Sequence, residues 1–282
     1  MKKWILISIR LFIAAAALYI ASRRINWQEL LEIKWGVPLL WLLPALFFYN
    51  ASQFVSAFRL LRFYRLHQPS ITYLFNLRLY YMAMFYNLFL PGGIGGDAYK
   101  IITLKNSQNT YRELTIATLL DRVTGLIVLV TIITVLSMIL PLPGFFQQLF
   151  LPLPYLVLAG WPVYFLIIYY FFKPYHKVLP VAAALSIVVQ LCQLLSFYCI
   201  VLALQGGADF FPGQAFLFYN SSVIAALPIS IGGIGTRELS LATGAGYFGF
   251  SAAIMVSASL LFFMVVVISS MIGWGTGWQN KK

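Results

Sequence analysis

Apolar residues fall in long runs along this chain, and polar residues interrupt them in short clusters rather than alternating with them. The runs extend from Trp4 to Ala21, Val37 to Phe58, Ile71 to Leu90, Leu114 to Leu140, Pro154 to Phe172, Leu179 to Leu204 and Phe216 to Leu227, with a last one reaching Trp278. About 20 apolar residues in a helix cross the roughly 30 Å hydrocarbon layer of a bilayer. The pattern therefore predicts an all-α, polytopic integral membrane protein. Two runs break off at glycine clusters. Ile71–Leu90 leads into Pro91-Gly92-Gly93-Ile94-Gly95-Gly96-Asp97-Ala98-Tyr99-Lys100, and Phe216–Leu227 leads into Pro228-Ile229-Ser230-Ile231-Gly232-Gly233-Ile234-Gly235-Thr236-Arg237-Glu238.

Composition narrows the picture. Of the 282 residues, 61% are hydrophobic and only 9% charged, against about a quarter charged in a soluble domain. A water-soluble fold is excluded, and so is a nucleic-acid-binding chain. The net charge is +12, but the cations punctuate apolar runs instead of forming one basic face. Lys and Arg stay on the cytoplasmic side of short loops, and this rule sets an orientation. With both termini cytoplasmic, Lys2, Lys3, the stretch Arg59-Arg62-Arg65, Lys100, Lys105, Arg112, Lys173, Lys177, Lys281 and Lys282 fall inside. Arg23, Arg24, Lys34 and Arg237 fall outside. The loops on both sides of Ile71–Lys100 then lie inside, which one full crossing cannot achieve and a hairpin can. By the same count the segment around Pro228–Glu238 is a second hairpin, entered from outside. The first run, interrupted by Arg10 and followed by Arg23-Arg24, reads as an uncleaved span in the cell (inner) membrane rather than a signal peptide. The expected architecture is about six full spans plus two re-entrant hairpins.

Self-comparison supports that count. Gly92-Gly93-Ile94-Gly95 recurs 140 residues later as Gly232-Gly233-Ile234-Gly235, and Phe85-Tyr86-Asn87 recurs as Phe218-Tyr219-Asn220. Within the single transmembrane domain 1–282, residues 1–140 and 141–282 each read as span, span, hairpin, span. Three crossings per half invert the second half relative to the first. Inverted repeats with broken helices near the midplane belong to transporters, whose substrates bind at the repeat interface.

The glycine clusters also offer chemistry. Without a Cβ, the backbone turns tightly and its N–H groups approach a ligand, and each cluster precedes helix-forming sequence. A helix amino terminus attracts anions, and Lys100 and Arg237 add full positive charges. A phosphate head group is the expected occupant, held by Pro91, Gly92, Gly93, Gly95, Gly96, Asp97 and Lys100 on one side and Pro228, Gly232, Gly233, Gly235, Arg237 and Glu238 on the other. Close helix packing is the other use of such glycines. Asp97 and Thr236 also fit amino-terminal caps, with Glu238 in a first turn. Asp121 lies roughly 12 Å into its run. An ionisable group at that depth costs about 2.5–3.5 kcal/mol and needs a partner, for which Arg78 is the candidate. Its neighbour Arg122 does not face it. A buried ion pair and a gating role both fit these three residues. Asn87 and Asn220 stand as polar support for helix contacts just before the breaks. The aromatic run from Tyr80 to Tyr86 fits an interface belt or the wall of a lipid groove. Cys192 and Cys199 are seven residues apart on one apolar run, too far for a disulfide. His67 and His176 sit in basic loops without a ligand set, and no nucleotide-binding P-loop motif occurs. No metal and no cofactor is expected.

Three ordered motifs carry a resemblance: Phe89 to Lys100 around the first glycine cluster, Leu120-Asp121-Arg122-Val123-Thr124-Gly125-Leu126, and Leu227 to Glu238 around the second. Together they resemble the flippase-like transmembrane domain of lysylphosphatidylglycerol synthases and its free-standing relatives. That resemblance implies movement of a lipid between leaflets, either an aminoacylated or other anionic phospholipid or a polyprenyl-phosphate-linked lipid. It covers the membrane part only. A counterpart of the soluble aminoacyltransferase domain of full-length synthases is not expected within these 282 residues, so aminoacylation is not carried over. The expected partners are membrane lipids with anionic head groups and a cytoplasmic lipid-synthesising enzyme. The rival readings are a membrane-embedded lipid-modifying enzyme, with Asp97, Asp121 and Glu238 as its acid–base candidates, and a non-transporting scaffold that recruits a cytoplasmic synthase.

Overall fold

A computed structural model describes Tyr19 and residues 37–89, 94–107, 109–142, 144–204, 211–226 and 235–277. The first apolar run (Tyr19 apart), both termini, and Pro91, Gly92, Gly93, Pro228, Gly232 and Gly233 lie outside the described residues. A 3-10 turn, Val37–Trp41, leads into α1, Leu42–Tyr64. Then follow α2 (Tyr73–Phe89), α3 (Ile94–Leu104), α4 (Tyr111–Ile139), α5 (Gly144–Phe150), α6 (Leu153–Phe171), α7 (Leu179–Ala203), α8 (Phe211–Ala226), α9 (Thr236–Ala245) and α10 (Ala252–Gly277). No strand occurs among the described residues. The chain is an all-helical, polytopic membrane protein. Among the described residues, five helical stretches are long and apolar enough to span: Leu39–Tyr64, Tyr111–Ile139, Leu153–Phe171, Leu179–Ala203 and Ala252–Gly273.

The remaining long elements come in two pairs, none of whose described helices is among those five. At 1.5 Å per residue, α2 and α8 reach about 25 Å, and α3 and α9 about 15 Å. Within each pair the two helices pack against each other, α2 on α3 and α8 on α9. Side-chain contacts show where each pair opens. At one end of the bundle, Asn109, which precedes α4, donates to the Gln68 amide oxygen at 3.1 Å, so the chain returns after α3 to where α2 began. His67 meets the Tyr175 hydroxyl at 2.7 Å there, and that hydroxyl reaches the Glu113 carbonyl at 3.3 Å. The three basic loops expected inside thus share one end. At the opposite end Phe216, early in α8, packs against Phe150 at 5.2 Å and against Phe248, just past α9, at 6.1 Å between ring centroids. The second pair opens there.

At the centre α1 crosses α7 along a stripe of small side chains. Ala45, Ser52, Ala57, Ala182, Ser186 and Ser196 are all fully buried, and Ser196 donates to the Ala45 carbonyl at 2.7 Å. Small residues permit close backbone approach where lipid supplies no hydrophobic drive between helices. Around this axis the pairings recur between the halves. The contacts of α1 with α4 recur as α7 with α10, α2 with α10 as α8 with α4, and α3 with α4 as α9 with α10. On the periphery α6 turns Tyr155, Leu158 and Phe171 outward, as a helix bathed in acyl chains does.

One expected boundary is corrected. The second apolar run was expected to end at Phe58, with Arg59 in a cytoplasmic loop, yet α1 continues through Tyr64. Leu60, Leu61, Phe63 and Tyr64 are fully buried; they carry the packed face past the first arginine and draw Arg59 into the protein. Lys100, also expected in a loop, is buried within α3.

The seam between α2 and α10 rests on Gly273, where an added Cβ would lie 2.2 Å from the Tyr81 carbonyl oxygen. Gly273→Val is expected to lower the unfolding temperature in detergent by roughly 5 °C through overpacking. Gly160→Ala, where the added carbon meets open space, is expected to leave it unchanged.

Candidate functional site

Asp121, nearly three turns into α4, needs a partner, and that partner is Arg59 rather than the expected Arg78. Arg59 Nε donates to Oδ1 at 2.7 Å and Nη2 to Oδ2 at 3.0 Å, a two-pronged charge-assisted pair. Its Nη1 donates to Ser186 on α7 at 2.7 Å, so one guanidinium ties α1, α4 and α7 together. Gly125, a turn beyond Asp121, leaves room for it: a Cβ there would lie 3.0 Å from Nη1. Arg78 is exposed. It follows the buried Asn76 by two residues, about 200° around the helix, and so faces away from the interior stripe.

Asp97 was expected as a cap, but α3 begins at Ile94, which moves Asp97 inside the first turn. Its carboxylate joins two cations, Lys100 at 2.8 Å and Arg122 at 2.6 Å. Lys100 also lies over the Tyr80 ring, 5.3 Å from its centroid. Asp121 and Arg122, adjacent in sequence, therefore serve different partners. Behind Asp97 the two helices touch. Gly96 donates its N–H to Asn87 Oδ1 at 2.7 Å, and an added Cβ would fall 2.2 Å from the Ala83 carbonyl. Asn87 is thus the interhelix support expected of it, with Gly95 and Gly96 in the first turn of α3.

The second pair is built differently. Gly235, at φ 85°, caps α9 in place of the expected Thr236, which is the first helical residue. Glu238 accepts the Gly235 N–H at 2.6 Å and the Ser259 hydroxyl at 2.6 Å. Both of its oxygens are spent on anchoring α9 to itself and to α10, so the structure uses Glu238 as a strut. Arg237, about 100° further back around the helix, reaches between α8 and α10. Its guanidinium sits 5.1 Å from the Phe262 ring centroid and 5.9 Å from that of Phe218. One arm reaches Ser222 at 3.3 Å, and its Nε has no hydrogen-bond partner among the described residues. Asn220 does not mirror Asn87. It bonds its own helix at the Phe216 carbonyl, 2.8 Å away, and borders a separate, mainly apolar pocket between α8 and α9.

Between the free ends of the two pairs lie two adjoining chambers. The first, about 500 Å³, is bordered by Arg59, Asp97, Lys100, Asp121 and Arg122. The second, about 390 Å³, is bordered by Arg237, Ser222 and Tyr49. Met84, Asn87, Leu129, Gln190, Gln193 and Ala226 line both, so the chambers share a wall made by α2, α4, α7 and α8. Three cations face two carboxylates in the first chamber, and Arg237 adds a further positive charge in the second. The hollow is suited to an anion. Among the described residues no group of three His, Cys, Asp or Glu side chains could hold a metal ion.

A family model described as the lysylphosphatidylglycerol synthase TM region matches residues 7–273. The chain belongs to this family. No curated protein and no solved structure matches it. Membership in the lysylphosphatidylglycerol synthase transmembrane family places its function with membrane lipids, and the matched region contains every element of the hollow. Of the residues singled out from the sequence, Asn87, Asp97, Lys100, Asp121 and Arg122 come together in one chamber and Arg237 stands in the next. Arg59, Ser186, Gln190 and Gln193 were missed. A signal for the last three was present: they are spaced i, i+4, i+7 in an otherwise apolar helix and so share one face.

Breaking a buried ion pair from one side costs about 3–5 kcal/mol, whereas replacing both partners by apolar groups costs far less. Arg59→Met and Asp121→Leu are each expected to destabilise the protein strongly in detergent unfolding measurements. The double variant is expected to be more stable than either single one.

Proposed function

We propose that this protein moves a lipid with an anionic head group between the two leaflets, passing the head through the paired chambers while the acyl or polyprenyl tails stay in the bilayer. The observation that carries the reading is the position of the cations. Arg59, Lys100 and Arg122 border one chamber and Arg237 the other, at the facing free ends of two helix pairs that open at opposite ends of the bundle. A charged head group crossing bare hydrocarbon lacks any counter-charge; here it would meet donors and cations throughout.

The short pairs α2–α3 and α8–α9 act as re-entrant hairpins of an inverted repeat. Their lengths, their opposed openings and the recurring helix pairings all support this. Broken helices at membrane depth are tolerated where they line a cavity, and rocking of one repeat against the other would open the hollow to each side in turn. The excess of Lys and Arg puts the end that holds Gln68, Asn109 and Tyr175 in the cytoplasm. A cytoplasmic enzyme that makes the lipid is the partner this reading expects at that end. The protein itself performs no bond chemistry, and the driving force comes from a gradient or from consumption of the lipid on the far side.

Reconstitution into liposomes tests the proposal. Purified protein is expected to speed transbilayer movement of at least one of phosphatidylglycerol, its lysyl ester or polyprenyl phosphate. Arg122→Ala and Arg237→Ala are expected to slow it at least tenfold without loss of folded protein. Undiminished rates in both variants, or no movement of any of the three lipids, would contradict it.

A further inference from the structure

The wall shared by the two chambers holds a group that the proposed head-group site leaves unused. Gln190 is 8% exposed, and among the described residues its side-chain amide makes no hydrogen bond; its Oε1 is buried without a partner. Its turn is nonetheless fixed, since the Tyr219 hydroxyl donates to the Gln190 backbone carbonyl at 3.2 Å. Gln190 borders both chambers.

The other polar groups there differ in kind. Arg59, Lys100, Arg122 and Arg237 are donors only and can serve phosphate oxygens but no hydroxyl hydrogen. The other carbonyl and carboxylate acceptors are engaged differently: Asp121 accepts from Arg59 and Asn87 Oδ1 from the Gly96 N–H, while Asp97 is held by charge between Lys100 and Arg122, its Oδ1 making no hydrogen bond among the described residues. Gln190 Oε1 is a buried acceptor left open among cations. A buried acceptor of this kind discriminates sharply against a ligand that lacks the matching donor.

Resting on the transport reading above, we infer that Gln190 is a specificity-determining residue. It selects head groups that carry hydroxyl or amino donors beside the phosphate, over those whose phosphate bears only an alkyl group. The cations take the phosphate, and the amide oxygen takes a donor on the group esterified to it. Gln193, one turn further along the same wall, offers a second amide to a head group passing between the chambers.

The test uses the full chain in liposomes with traces of two lipids labelled on an acyl chain, phosphatidylglycerol and phosphatidylpropanol. They share charge and nearly share size, and differ in the two hydroxyls. Wild-type protein is expected to move phosphatidylglycerol at least about tenfold faster. Gln190→Met is expected to slow phosphatidylglycerol to the phosphatidylpropanol rate while leaving the latter unchanged. Gln190→Asn, which keeps the amide one carbon further back, is expected to retain part of the preference and stands in should Gln190→Met not fold. Equal wild-type rates for the two lipids, or a preference that survives in Gln190→Met, would overturn this inference and leave the transport reading intact. Movement of neither lipid, together with failure on lysyl-phosphatidylglycerol and polyprenyl phosphate, would instead contradict the transport reading itself.

Discussion

Charges buried in hydrocarbon must find opposite charges or hydrogen-bond partners, and the bundle is arranged around that requirement. An ionised side chain at the centre of a membrane helix costs about 2.5–3.5 kcal/mol, and this chain buries Arg59 and Asp121 within two of its apolar helices, both nearly inaccessible. Their two-pronged contact, extended through Ser186, fixes the relative positions of α1, α4 and α7. The same three helices supply much of the wall of the first chamber. Structure and site therefore share one set of charges: what locks the spans together also leaves a polar hollow in the middle of an oily protein.

Glycines set how closely the surrounding helices approach one another. Gly96 lets α3 lie directly on α2, and Gly273 lets α10 lie on the other side of α2. Gly235 takes the positive φ that starts α9, turning Arg237 toward Ser222 and Glu238 toward Ser259. The two short pairs are thus related in layout but not in detail. The first presents a clustered ion network; the second presents a single arginine flanked by aromatic rings. A head group meeting them in turn would exchange several partners for few, which suits passage better than tight capture.

Much of this was legible in the sequence because the membrane imposes long periods. Five of the runs coincide with described helices long and apolar enough to span, and the basic loops around Arg65, Lys105 and Lys173 come to one end; the repeated Gly-Gly-Ile-Gly lies in sequence at the junction of the two helices of each short pair, mostly outside the described residues. What escaped was the position of individual polar groups within apolar runs. Arg59 was read as a loop residue because two more arginines follow it, although the apolar residues between them continue a buried face. Arg78 was favoured for Asp121 on depth alone, and depth says nothing about rotation around the helix axis. Glu238 looked like a ligand for the same reason that it is a strut: a carboxylate in a first turn serves either use, and only Ser259, distant in sequence, decides between them. Gln190 belongs to a helix without a single charge, and only its spacing from Ser186 and Gln193 hinted at a polar face.

Under the proposed function, two helix pairs enter the bilayer from opposite faces and meet at a charged hollow. Side-specific labelling of single cysteines tests it most directly, with Ser107→Cys and Gly246→Cys each placed in a background lacking Cys192 and Cys199. The account predicts that an impermeant thiol reagent reaches position 107 only from the cytoplasm and position 246 only from outside. Labelling of both positions from the same face would contradict it.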